Sequence, residues 1–222
     1  MVRLLDLARR HPADPDLYTG LVMACRYSGL LEASLAADER ARRLDPAIHT
    51  SVAYTYFQLG DPVRALERAD GDPFFVPMYS LIMQGRPGEA LPVARTALEG
   101  NPRGMLGGFL RQMEAAIARD AKAAREAAHV IRDSEFKDPE GLMLQTWKLC
   151  GAGATDTAIE VLRSIENAGF YCTNLIERES WFQPIREDPE VRRILAVWEG
   201  KRAEAALAFN SNGGEQVLGS VA

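Results

Sequence analysis

The chain has few groups with which to do chemistry. Its three cysteines, Cys25, Cys150 and Cys172, are an odd number with no pair at metal-ligand or redox-motif spacing. Cys25 on an apolar helix face and Cys150 at the end of a helical run read as small buried hydrophobes, so a reduced, cytoplasmic setting is expected. The three histidines, His11, His49 and His129, stand far apart, none with an acidic or cysteine partner at ligand spacing. No phosphate loop ending in Lys-Ser or Lys-Thr occurs. Gly151-Ala152-Gly153 lacks both the third glycine and the preceding strand of a dinucleotide fingerprint. No apolar run approaches the roughly 18 residues of a membrane span, and the N-terminal residues alternate Leu with Arg and Asp rather than forming a signal peptide. Positive charge is short as well: 26 Lys and Arg face 31 Asp and Glu, a net charge of −5. That balance argues against a sequence-independent grip on nucleic-acid phosphates. No catalytic, cofactor or metal residue is therefore assigned, and an enzyme is not expected.

What the sequence does have is punctuated helical periodicity. Tyr18, Leu21, Val22 and Cys25 share one helix face, Gly29 breaks the chain, and a second helix with small residues Ser34 and Ala41 stops at Asp45-Pro46. Gly60 and Gly85 close comparable first helices, and Asp61-Pro62 starts a second helix with a capping carboxylate and a proline at its first position. Ala90, Ala94 and Ala97 form a small-residue stripe that lets two helices approach closely, ending at Asn101-Pro102. Further helices are predicted over about 104–119, 121–133, 141–150 and 156–167, with Asp138-Pro139 closing a unit and Asp188-Pro189 opening a last helix through Trp198 and Phe209. Val2 to Arg10 reads as a second helix lacking its first. The chain is accordingly expected either to be cut from a longer polypeptide or to use this helix as a cap.

Residues Asp14 to Pro46 resemble one unit of a tetratricopeptide repeat, and weaker copies follow. The stretch Tyr171, Leu175-Ile176-Glu177-Arg178, Trp181-Phe182-Gln183-Pro184-Ile185-Arg186 and Asp188-Pro189 through Ile194-Leu195 resembles an ending found in bacterial proteins. There it follows tetratricopeptide arrays attached to serine/threonine kinase, cyclase or transcription-regulator domains. The resemblance implies an all-α fold, an α-solenoid of stacked antiparallel helix pairs over residues 1–209. Its repeats are regular over 2–102 and degenerate over 103–209, with a flexible tail at 210–222. It also implies the C-terminal module of a larger regulatory protein. Two departures stand out: Pro77 lies inside a predicted first helix, and the fourth unit lacks the signature Tyr and Gly.

By this resemblance the function is non-catalytic: a protein or peptide partner, or an upstream domain of the same chain, held in a groove lined by the first helices. Carrying the glycine registers across places Thr19, Met23 and Arg26, then Thr50, Tyr54 and Phe57, then Phe75, Tyr79 and Ile82 on that lining. Aromatic rings with a wet hydroxyl suit a peptide contact. Thr19, Met23 and Thr50 stand where a carboxylate clamp would need Lys and Asn, so binding of a chaperone C-terminus is not expected. The alternative class is a helical-repeat nucleic-acid binder, disfavoured by the acidic balance and the lack of a repeated base-reading pattern. No cofactor and no membrane contact are expected.

Overall fold

A computed structural model describes residues 1–219, and among these every regular element is a helix. In chain order they are α1 (Val2–Arg10), α2 (Pro15–Tyr27), α3 (Leu31–Leu44), α4 (Val52–Leu59), α5 (Pro62–Glu67), α6 (Phe75–Met83), α7 (Pro87–Gly100) and α8 (Gly104–Ala118). There follow α9 (Ala121–Asp133), α10 (Pro139–Ala152), α11 (Thr155–Ser164), α12 (Asn174–Arg178), a 3₁₀ turn Ser180–Phe182, α13 (Gln183–Arg186), α14 (Pro189–Ser211) and α15 (Gly214–Leu218).

Local chemistry sets the boundaries. Asp14 accepts the Asp16 N–H at 3.1 Å, Asp61 that of Arg64 at 3.0 Å and Asp138 that of Gly141 at 2.7 Å. Each satisfies a donor that the first turn leaves unpaired, and a proline occupies the start of the helix that follows. Asp138-Pro139 thus opens α10 rather than closing the preceding unit. Gly29, Gly60 and Gly85 all have φ between 72° and 75°, the left-handed turn that an L side chain resists. Pro77 causes no break because α6 begins at Phe75, with the Asp72 carboxylate accepting the N–H of Phe74 and Phe75. The proline falls in the first turn, where its missing N–H costs nothing.

The chain divides into two compact units. The first comprises residues 1–71, 171–175 and 197–219 of the described chain. Within it α2 and α3 form the main helical hairpin, with α1 on α2, α4 on α3 and α5 on α4. Residues 210–219 belong to this packing and are not a frayed tail. α15 lies against α1 and α3, and Leu218 is buried in a core with Leu5, Leu21, Ala37 and Phe209. Residues 220–222 lie outside the described residues.

The second unit comprises residues 72–170 and 176–196. α6–α7, α7–α8, α8–α9 and α10–α11 pack as successive pairs, and α10 also meets α8, α9 and the 3₁₀ turn. The alanine stripe does what its spacing implies: Ala90 and Ala94 have no exposed surface, though Ala97 is half-buried. α10 is buried on all sides from Met143 to Cys150. Both units therefore show the paired-helix packing of a helical-repeat fold.

Candidate functional site

The residues predicted to line a groove fall into two environments. In the first unit Met23 is 46% exposed, Tyr54 is half-buried, and Arg26, Thr50 and Phe57 are buried. In the second unit Phe75 is half-buried while Tyr79 and Ile82 are buried. Thr19 is half-buried. The structure brings together Arg26 with Tyr54, Tyr54 with Phe57, and Phe75 with Tyr79.

Arg26 organises the face shared by α2 and α4. Its guanidinium donates to the Ser51 carbonyl at 3.0 Å, to Ser51 Oγ at 3.1 Å and to Thr55 Oγ1 at 3.4 Å. Ser34 Oγ donates to the Val22 carbonyl at 2.7 Å, so the Thr55 hydroxyl, 2.8 Å away, donates to Ser34. A relay of donors thus runs from α2 through α4 to α3 and ends on a backbone carbonyl. The same guanidinium lies 5.7 Å from the Tyr27 ring centre and 5.8 Å from that of Tyr54, which holds both rings in place. Met23, one turn before Tyr27, stands exposed beside this shelf.

Thr50 is drawn inward by a second network. Its hydroxyl donates to Asp38 Oδ1 at 2.5 Å and its N–H to Asp70 Oδ2 at 2.9 Å. Arg42 bridges the two carboxylates, at 2.9 and 3.0 Å to Asp38 and 2.5 Å to Asp70. A side chain so engaged has no donor left for a partner.

Tyr79 is buried for another reason: it is a wall of an aromatic core around a lysine. Lys148 has no exposed surface, and its Nζ lies 4.4 Å from the Phe109 ring centre, 5.6 Å from that of Tyr79 and 5.9 Å from that of Phe75. Nζ donates to the Tyr79 hydroxyl at a long 3.4 Å, and no carboxylate among the described residues pairs with it. The rings favour a cation, but loss of water outweighs them and burial pulls this amine down to about 7. Tyr79 also meets Trp147 edge-on at 5.4 Å, and Trp147 stacks on Trp181 at 4.8 Å.

The Trp181 segment is structural. Glu179 accepts from Trp147 Nε1 at 2.5 Å and from the Trp181 N–H at 2.7 Å. Arg186 donates to the carbonyls of Ile176 and Glu179 at 3.0 and 2.8 Å, closing the short helices into a clasp. A β-carbon on Gly151 would lie 2.4 Å from the Trp181 ring, so only glycine lets the indole approach α10 this closely.

The first unit also holds a cleft of about 500 Å³ between the start of α3, the end of α14 and α15. Ala36, Phe209 and Leu218 form its buried floor; Leu30, Ala33 and Ala206 stand in its walls. Its parts come from opposite ends of the chain, which no local pattern can reveal.

Burial pushes the Cys25 and Cys150 thiols up to about 12, and no group of three or more His, Cys, Asp or Glu side chains among the described residues could hold a metal ion. No helix among the described residues is long and apolar enough to cross a membrane. Compared with models of protein families, with curated proteins and with solved structures, the chain has no significant match in any of the three.

Proposed function

We propose that the chain is a non-catalytic protein-interaction module of tetratricopeptide type, a regulatory part of a larger signalling protein, which holds a peptide on its first helices. The observation that carries this reading is the α2–α4 face. Exposed Met23 lies one helical turn before Tyr27, and Tyr27 and Tyr54 are two half-buried rings held by one buried guanidinium. The pre-positioned rings have little ordering entropy left to lose on binding, and the flexible thioether can adapt to the shape of a partner. Arg26 supports this face from beneath, and Phe75 offers a smaller half-buried ring in the second unit. Three buried, unbridged cysteines suit a reducing compartment such as the cytoplasm.

The test compares the protein with a Met23→Glu, Tyr54→Ala double variant, each immobilised and exposed to an extract of the source cells. Quantitative mass spectrometry should find a defined set of proteins reduced about tenfold on the variant, the loss expected for removing a modest hot spot. Melting temperatures should stay within a few degrees. Equal capture of the same proteins by both would overturn the reading.

A further inference from the structure

We propose that the apolar cleft of the first unit is a second docking site, and that its occupant is an amphipathic helical segment of a partner protein bearing Lys or Arg beside its apolar side chains. The proposal rests on the reading of the chain as a protein-interaction module and uses residues distinct from Met23 and Tyr54.

The cleft has the volume of sites that take ligand groups, and its floor and walls are apolar. Leu207, 69% exposed, lies one helical turn before Asn210 on the cleft's edge and extends the apolar surface outward. Two charged side chains line the cleft, Glu32 and Glu215. Both are exposed, and neither is ion-paired among the described residues. Near the Gly29 end, Arg202 is engaged by Glu199 at 3.4 Å. An apolar trough with unpaired carboxylates at its rim selects a partner with apolar anchors and flanking cations.

Two other occupants fit less well. The described residues contain no strand, so no sheet edge invites an extended peptide. A second copy in a twofold dimer would set the same patch against itself and add two more carboxylates to a rim that already carries two. A helix that projects apolar side chains from successive turns meets neither objection.

The probes are two short synthetic helical peptides with the same leucine stripe, one flanked by lysines and the other by glutamates, each with a fluorophore for anisotropy. The lysine peptide should bind, and the glutamate peptide at least about tenfold more weakly. Glu32→Gln with Glu215→Gln should cost the lysine peptide about tenfold and flatten its salt dependence. Ala206→Trp, which fills the cleft, should abolish binding, whereas Met23→Glu with Tyr54→Ala should leave it unchanged. Should Ala206→Trp lose helix content, Leu207→Ala supplies the independent check, with several-fold weakening expected. Equal binding of the two peptides, or of the lysine peptide to the Ala206→Trp protein, overturns the proposal. So does a dimer in sedimentation that Ala206→Trp dissociates. Peptide binding lost only in the Met23, Tyr54 variant would sink the cleft and leave the module reading standing; no capture of any protein or peptide would sink both.

Discussion

The two units hold a buried basic side chain in different ways. In the first, Arg26, Ser34, Asp38, Thr50 and Thr55 are buried and tied together by directional hydrogen bonds. In the second, Lys148 sits among rings with one long hydrogen bond. The side chains of Gln112 and Ser80 are buried there with no hydrogen-bond partner among the described residues. A hydrogen-bonded network fixes the register of α4 on α2 and α3, because each bond fails outside a narrow range of distance and angle. Ring packing stabilises by area and tolerates small displacements. The first unit therefore holds a precise surface on α2 and α4, while the surroundings of Lys148 in the second are ordered mainly by bulk.

The largest test of this contrast uses two tyrosines that look alike in sequence. Tyr79→Ala should destabilise the protein by about 3–5 kcal/mol, as for other large aromatic truncations in a core. Tyr54→Ala, at a half-buried position, should cost about 1 kcal/mol. Chemical denaturation measures both, and equal losses would erase the distinction. Next in size is Asp38→Ala, which removes one of the two carboxylates that Arg42 and Thr50 share. A loss of about 3 kcal/mol is expected from breaking a largely buried pair. A change below about 0.5 kcal/mol, the surface value, would mean that the network adds no rigidity.

The smallest effect carries the clearest sign. Lys148 in the folded protein titrates near 7, whereas an exposed lysine keeps its proton to about 10.4. Between those values the unfolded chain binds the proton and the folded protein does not, so stability rises with pH across that window. Below about 7 both states are protonated and this lysine adds no further slope. The gain from pH 7 to 9 should be about 2 kcal/mol, and Lys148→Met should remove it while raising stability at pH 7. An unchanged pH profile in the methionine variant would show that the amine keeps its proton within the rings.

Much of the fold was legible because punctuation is local chemistry. The α1 and α9 spans follow from periodicity, and for α10 the sequence leaves open only which helix Asp138-Pro139 serves. The short helices α5, α12, α13 and α15 carry too few turns for a period to show. The site was less legible. Thr50, Phe57, Tyr79 and Ile82 occupy positions that a repeat register turns outward, but partners distant in sequence decide their burial: Asp70 for Thr50, Trp147 for Tyr79. Lys148 was invisible for the same reason. A lysine reads as solvated until the helices around it are known.

α10 has a consequence for how this protein can vary. A helix with one wet face lets roughly half its positions drift, and the tolerated substitutions trace a 3.6-residue rhythm. Eight consecutive residues of α10, Met143 to Cys150, have no wet side at all. Substitutions along them should be rejected at every position, without rhythm, while α9 alternates between strict and permissive. New recognition properties must therefore arise on the outer helices, with α10 the part of the second unit least free to change.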